Sequence, residues 1–559
     1  MRSKAPRTRG EDALPLLRTS GPWHLIVAPP ARAALEHVLP VYLQGCRWFG
    51  GKARRLTSAT ITDTMRIAAA GLDARFALVR VAYAEGAPET YAVPLAFAAS
   101  SNTRVRRQVP AAPVARLRCA EGTGVLYDAT SAPRFGAALC DAIAHRRRMK
   151  GARGTLVARR GTLFRRVRGS DADPLPEAVR LRGEQSNTSL AFGTRMVLKL
   201  LRRGAAGVNP DLEVGRFLSE RARFPHVPPV AGSLAYERCG AKPITLGILQ
   251  GFVPNRGDAW HYTLRALRGY FAAALVRTEP PPLVLGPALR VEPPAIAQAV
   301  IGPYLDSVRL LGRRTAEMHL ALAADAGDAD FAPAPFSTRD QRVLARSLRT
   351  QAQRSFALLA QREPALRDDV RAAARAVLDL RPAVDRRIRR LLSHRLSGMR
   401  IRCHGDYHLG QVLHTGRDFV IIDFEGEPAR PLSARRRKRP PLRDVSGMMR
   451  SFHYAAFTAW TDRGASAVAR PADGERLEPW AQFWYQCVAA AFLTAYCATA
   501  AGAAFLPRTP EELDVMVEIF MLEKALYELA YELNNRPDWV HIPLRGLRAL
   551  CEGSGRSAS

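Results

Sequence analysis

The sequence predicts an α+β protein of two lobes, a small β-rich lobe followed by a mostly helical one, behind an N-terminal mixed module. Three observations carry this reading. Short apolar runs separated by turn residues prevail to about residue 257, helical spacing prevails after it, and one pair of short strands interrupts the helices within 403 to 428. At 559 residues the chain is also too long for one ordinary core. The segments are set at 1–150, 151–257 and 258–559.

In the first segment, "MRSKAPRTRGEDALPLLRTSG" is basic, lacks an apolar stretch or cleavage-like site, and reads as a frayed tail. "RAALEHVLPVYLQGCRWFGGKARRL" reads as a short helix broken at Pro40, then a Gly-Gly turn carrying Arg47, Trp48 and Lys52. "RFALVRVAYAEGAPETYAVPLAFA" is a hairpin with its turn near Gly86 to Pro88. Residues 134 to 150 have helical spacing, and "GARGTLVARRGTLFRRVRG" continues as strand-like pieces. No catalytic residue stands out here, and the module is expected to cap the next lobe and to stabilise or gate it.

The second segment places a polar turn, Glu184 to Ser189, ahead of the strand "RMVLKLL". Asn209, Pro210 and Asp211 are helix-start residues, and "PITLGILQGFVPN" is a buried strand closed by Pro254. In the third, Leu305, Val308, Leu311, Thr315, Met318 and Leu322 follow one helical face. Helices fill 337 to 396 and resume from Val445 to about Glu532, while the proline-rich 279–294 is an exposed loop. There is no internal repeat.

Composition narrows the function classes without choosing one. Hydrophobic residues at 47% and charged residues at 24% describe a globular chain, and no apolar run is long enough to cross a bilayer, so no membrane partner is expected. Eight cysteines without a C-x-x-C pair or zinc-finger spacing point to reduced thiols and a cytoplasmic setting. The net charge of +32 attracts polyanions. Its arginines are spread in runs such as "HRRRMKGARG" and "ARRRKRPPLR", with no nucleic-acid-binding motif, so no specific nucleic-acid partner is expected.

The chemistry is concentrated in "CHGDYHLGQVLHTGRDFVIIDFEGEP", 403 to 428. Phosphoryl transfer from ATP needs a carboxylate to accept the attacking hydroxyl's proton, and oxygen ligands for the magnesium that bridges the phosphates. Asp406 follows His404-Gly405 as the base, Gln411 lies five positions later, and the apolar "FVII" delivers Asp423; Gln411 and Asp423 are the metal ligands. This is the logic of the kinase loop H-x-D-x-x-x-x-N with a metal aspartate on the next hairpin. Gln411 stands where that pattern has asparagine, and "Asp-Phe-Glu" stands where protein kinases have "Asp-Phe-Gly", which favours a small-molecule kinase of the same fold. Lys199 ends "RMVLK" and Glu213 lies 14 residues later in a helix, as the phosphate lysine and its partner. Glu184, Gln185, Ser186, Asn187, Thr188 and Ser189 would cover the phosphates. Gln250, Phe252 and Val253 are placed at the adenine by position alone.

The stretch "RCHGDYHLGQVLHTGRDFVIIDFEGEPARPLSARRRKRPPLRDVSGMMRSFHYAA", with "RWFGGKAR", "EQSNTS", "GVNPDLEV" and "EKALYELAYELNNRPDWVHIPL", resembles the maltokinases. These belong to the wider aminoglycoside phosphotransferase group. The resemblance spans about 30 to 547 and implies a two-lobed protein-kinase-like fold with an N-terminal cap. It also implies transfer of the ATP γ-phosphoryl group, with Mg2+, to the anomeric hydroxyl of maltose. Maltose 1-phosphate would then feed α-glucan synthesis from trehalose. The family also occurs fused behind a trehalose synthase, which makes that enzyme a candidate partner; this chain has no room for its barrel, so only kinase activity is expected.

The remaining residues carry two readings each. His404 orients the loop, and His408 approaches the sugar or supports the loop from behind. Glu425 and Glu427 bind a hydroxyl or a cation, or pair with arginines of 435 to 439, the favoured option; Asp444 is a helix N-cap. Lys524, Tyr527, Glu528 and Tyr531 share a helix face suited to a sugar, with Trp539 just beyond; the competing reading is an amphipathic core helix. Two other functions stand beside maltokinase: a kinase of another sugar or amino sugar such as glucosamine, and a non-catalytic basic nucleic-acid-binding protein.

Overall fold

The strand-forming residues of the N-terminal half build two seven-stranded sheets. The computed structural model describes residues 14–100, 113–170, 175–181, 186–277, 292–393, 395–461 and 474–552. The chain divides into two compact units, one of 1–221 with 228–254 and one of 222–227 with 255–559.

In the first unit, β1 (Leu16–Arg18), β2 (Leu56–Ala69), β3 (Leu72–Tyr83), β4 (Glu89–Ala99), β5 (Pro113–Cys119) and β6 (Gly122–Asp128) are arranged in the order β1-β5-β6-β4-β3-β2. The hairpin expected around Gly86 is β3–β4. Leu16–Arg18 departs from the frayed-tail reading, since it pairs in parallel with Arg116–Arg118. Helix α1 (Arg32–Gly45) runs through Pro40 without the expected break. Leu35, Leu39 and Leu43 form its fully buried stripe, and burying three leucines, at about 1.5–3 kcal/mol each, outweighs a proline's cost of about 3 kcal/mol.

The second sheet has the order β7-β8-β13-β14-β11-β10-β9, from β7 (Arg148–Lys150), β8 (Thr155–Arg160), β9 (Ala178–Arg180), β10 (Thr188–Phe192), β11 (Met196–Leu200), β13 (Val230–Glu237) and β14 (Ile244–Gly251); β12 (Arg203–Gly204) pairs instead with β4. After β8 the chain forms a short helix, Phe164–Arg168, where strand was expected, because Phe164 turns into the core. Helix α2 (Pro133–Ala144) buries Phe135, Leu139 and Ile143 in one core with Phe76 of β3 and Leu156, Leu190 and Leu198 of the second sheet. Two polar ties reinforce that shared core. Asp63, at a bulge in β2, accepts from Ala152 N (2.7 Å), Arg153 N (3.0 Å) and Tyr236 OH (2.7 Å). Arg202, fully buried, donates to Asp128 Oδ2 (2.7 Å), Thr130 Oγ1 (3.0 Å) and Thr188 Oγ1 (2.9 Å), with its guanidinium over the Trp48 ring.

Helix α3 (Pro210–Arg216) starts as the sequence indicates, with Asn209 Oδ1 accepting from Asp211 N at 2.8 Å. The second unit is helical: α4 (Ala259–Leu275), α5 (Tyr304–Ala323), α6 (Thr338–Arg362), α7 (Asp368–Asp379), α8 (Arg381–Ser393), α9 (Leu442–Thr461), α10 (Gly474–Thr499), α11 (Pro510–Asn535) and α12 (His541–Glu552). The six-residue stripe of α5 is buried throughout, and α5 packs along α10 while α9 packs on α11. Helix α9 begins three residues before the expected Val445, and α12 extends beyond the expected end. The proline-rich loop falls almost wholly outside the described residues. Two short strand pairs accompany the helices: Ala334–Pro335 (β15), between α5 and α6, pairs with Met399–Arg400 (β16), and between α8 and α9 Val412–His414 (β17) pairs with Phe419–Ile421 (β18), the expected pair. No described helix is long and apolar enough to cross a membrane, and all eight cysteines are free thiols.

Candidate active site

The loop before β17 is held from beneath by a buried carboxylate. Asp444 lies inside the first turn of α9 and is not the N-cap expected of it. Its oxygens accept from His404 N (2.7 Å) and Gly405 N (2.9 Å), and His319 Nε2 of α5 lies 3.3 Å away. Burial alone would push this carboxyl up; His319, His404 and the backbone donors prevail and hold it below the usual range. Gly405, at φ 86°, lets the loop pass Gly426, where a Cβ would come within 3.3 Å of backbone. Gly447 lets α9 lie against Tyr407, since a Cβ there would stand 2.7 Å from that carbonyl oxygen.

His404 fills the orienting role expected of it. Nδ1 faces Asp406 N at 3.4 Å and Nε2 contacts Ile422 O at 2.9 Å, which requires the proton on Nε2 and ties the loop to the end of β18. His408 closes the next turn, its Nδ1 accepting from Gly410 N at 3.1 Å. Burial, with the charges of Lys524 and His404, lowers its pKa against the pull of Asp406 and keeps it neutral.

Asp406 receives Lys524 Nζ of α11 at 3.2 Å. Burial raises its carboxyl, but Lys524, His408 and His404 outweigh it and hold the pKa below the ordinary carboxylate value. Asp406 is therefore ionised through the neutral range, the state a proton acceptor needs. The sign of a pH effect follows. Wild-type kcat/KM should hold as pH falls from neutrality and decline only below the usual carboxylate range. In Lys524→Met the burial effect is left less opposed, so the acid limb of the profile should move to higher pH. An unmoved limb would show that Lys524 does not set the charge on Asp406.

Past β18, Asp423 takes φ 66°, a left-handed backbone that aspartate tolerates better than most residues. Gln411 Nε2 donates to Asp423 Oδ2 at 2.9 Å, so the two expected metal ligands meet across the strand pair. An aspartate and a glutamine side chain brought together carry oxygens of the kind a hard divalent cation takes.

A small cavity beside Asp406 is lined by Tyr407, Glu427, Glu523, Lys524 and Tyr527 among others. Lys524 and Tyr527 thus face Asp406, and Tyr531, 43% exposed, stacks on Tyr527 at 6.3 Å between centroids. Glu528 departs from expectation. It is buried, and Arg450 of α9 donates to its Oε2 through Nε (2.9 Å) and Nη2 (2.7 Å). Glu425 pairs with Arg435 at 3.8 Å, as favoured from sequence. Glu427 pairs instead with Arg430 and with Arg443 (2.8 Å), which also reaches Glu523 at 3.1 Å. The chain's turn at Pro428 to Pro431 brings Arg430 back, so the nearer arginines take the acid.

In the first unit, Lys199 is buried on β11 and its Nζ meets Asp211 Oδ2 of α3 at 2.9 Å. Asn209 caps α3 and Asp211 is buried in its first turn, so Asp211 meets this lysine two positions before the expected Glu213, which shares that turn. Thr188 and Ser189 lie in β10 and are buried, not in the covering turn, and Thr188 is engaged by Arg202. Ser186 and Asn187 remain in the turn, while Glu184 and Gln185 lie outside the described residues. Gln250 is the next-to-last residue of β14, and Phe252 N donates to Arg195 O.

Sequence reasoning missed Asp444 as loop anchor, its partner His319, and Asp211 as lysine partner. Each is an acid or histidine on a helix whose role depends on a distant contact; Asp211 alone was within reach, as a first-turn acid beside the predicted Lys199.

A two-lobed arrangement of a β-rich unit and a helical unit that carries the Asp406 loop and the β17–β18 pair belongs to a class: the protein is a phosphotransferase enzyme of the kinase-like fold. Comparison with known proteins refines it. Residues 42–131 match the maltokinase N-terminal cap domain, and residues 296–426 match the phosphotransferase enzyme family. The chain thus carries a stretch similar to that cap ahead of a stretch similar to that enzyme family. It is similar to a glucosamine kinase of Streptacidiphilus jiangxiensis, 26% identical over 363 residues, covering 64% of this chain and 70% of that protein. A glucosamine kinase of Mycolicibacterium smegmatis (strain ATCC 700084 / mc(2)155) is also 26% identical, over 376 residues, 66% and 78% of the two. The solved glucosamine kinase in complex with glucosamine, ADP and inorganic phosphate shares the fold, with a TM-score of 0.56 at 20% identity over 95% of this chain and 100% of that one.

Proposed function

We propose that this enzyme transfers the γ-phosphoryl group of ATP to the anomeric hydroxyl of a sugar, with maltose as acceptor and maltose 1-phosphate as product. The observation that carries the proposal is Asp406, kept ionised at a cavity that also presents Lys524 and Tyr527. In this reading Asp406 accepts the hydroxyl proton. Lys524 holds the carboxylate in place and yields contact to the sugar, Tyr527 and Tyr531 offer apolar faces, and His408 stays neutral beside them. Lys199, set by Asp211, binds the nucleotide phosphates together with Ser186 and Asn187, and Gln250 to Val253 meet the adenine. Gln411 and Asp423 would hold Mg2+, which supplies charge neutralisation of the phosphates when bound.

Maltose is favoured over an amino sugar by the cap match and by charge. An ammonium group in the cavity would need a spare carboxylate, and both Glu427 and Glu523 are committed to Arg430 and Arg443. Glucosamine is the second reading, favoured by the names of the curated relatives. ATP consumption measured across maltose, glucose, glucosamine and kanamycin separates them. Turnover on maltose at least tenfold above glucosamine is expected. The reverse order would move the assignment to an aminosugar kinase, and no turnover on any sugar would remove it.

A further inference from the structure

Away from the catalytic loop, a second pocket of about 300 Å³ opens in the first unit over β8 and β13, floored around Gly232 and Ser233. Its walls carry five arginines, Arg146, Arg148, Arg159, Arg160 and Arg216. Two carboxylates partly answer them: Glu237 meets Arg159 and, at 3.9 Å, Arg148, and Glu220 meets Arg216 at 3.5 Å. Neither Arg146 nor Arg160 has a carboxylate partner among the described residues; Arg160 reaches the Ala144 carbonyl oxygen at the end of α2 (3.4 Å). The pocket thus carries a surplus of positive charge that its own acids leave unmatched.

The backbone adds a second observation. Arg146 stands at φ 53°, just past α2, where Arg147 N returns to Ala142 O (2.9 Å) and Arg146 N to Ile143 O (3.2 Å). This left-handed closing position is normally glycine or asparagine, and a long side chain there is held at a conformational cost. Helix termination alone does not call for arginine at that point.

We propose that this pocket binds a small phosphorylated anion. Several arginines lining one concavity offer the bidentate donors that suit phosphate oxygens, and the volume matches the lower end of small-molecule sites. A single concavity of this size suits a compact ligand better than a polynucleotide backbone, which would call for a continuous basic track. The site adjoins α3, which supplies Arg216 to the wall and Asp211 to Lys199.

The test is calorimetric titration of the full chain with pyrophosphate, without magnesium or nucleotide. The variants are Arg146→Gly, the pair Arg146→Ala with Arg159→Ala, and a control pair, Arg346→Ala with Arg349→Ala, exposed on α6. One binding event should weaken at least tenfold in Arg146→Gly, whose melting temperature should not fall because glycine suits that backbone. The same event should vanish in the pocket pair and persist in the control. Equal weakening by the control pair would assign binding to the overall basic field and overturn the proposal, as would binding indifferent to the pocket variants. Saturable, pocket-dependent binding of a 12-nucleotide DNA strand with none of pyrophosphate would overturn it in favour of nucleic acid. Sugar phosphorylation is measured separately on the same variants, so failure here leaves the catalytic reading untouched.

Discussion

Asp406→Ala is expected to lower kcat for phosphoryl transfer by about 10²–10⁴-fold, the contribution of a positioned proton acceptor, with little change in melting temperature. The asymmetry follows from the surroundings of the side chain. The loop is held by Asp444 and His404, neither of which uses the Asp406 carboxylate. Lys524, the partner of Asp406, keeps a flexible stem and partial exposure, with 21% of its side chain accessible, so it can turn to water once its partner is gone. Stopped-flow or coupled ATP assays beside a thermal melt check both halves. A variant that melts far below wild type would show that Asp406 holds the loop together and does not serve the reaction alone.

Glu528→Ala is expected to have the largest effect on stability, a loss of about 3–5 kcal/mol, because it strands the guanidinium of Arg450 without its counter-charge. Arg450 is 1% exposed. It is enclosed further by Gly546 of α12, where even a Cβ would come within 3 Å of the guanidinium, so neither water nor a new partner can reach it easily. A fall in melting temperature on the order of 10 °C should accompany the loss. The double substitution Arg450→Met with Glu528→Leu removes both charges and should recover much of it, since a buried ion pair is often no better than apolar packing of similar volume. Had Glu528 been a sugar ligand, the single substitution would raise KM for the acceptor and leave the melt unchanged. Chemical denaturation with both readouts separates the two roles.

How much of this was legible in the sequence depends on how local each determinant is. The strand pair β17–β18, the start of α3 at Asn209 and the buried stripe of α5 follow from spacing and turn chemistry, and all appear where the pattern puts them. The loop that holds Asp406, and the meeting of Gln411 with Asp423, follow from a motif whose parts lie within 20 residues. The losses were of another kind. Pro40 reads as a helix breaker until the burial of Leu35, Leu39 and Leu43 is known. Glu528 and Tyr527 share a helix with adjacent numbers, and only the position of Arg450 on α9 decides that one turns into an ion pair while the other lines a cavity. Asp444 looks like a cap because its helix begins nearby; that its carboxylate serves a loop some 40 residues earlier is a tertiary fact. Glu427 likewise prefers Arg443 to the basic run of 435 to 439 because α9 brings it close.

The central claim, that Asp406 takes the proton from an anomeric hydroxyl, is tested most directly by phosphorus NMR of the product. Wild-type enzyme with ATP and maltose should yield a phosphate ester on the anomeric carbon, and Asp406→Asn, folded to the same extent, should yield almost none in the same time. Undiminished product from Asp406→Asn, or phosphate carried on a non-anomeric hydroxyl, would contradict it.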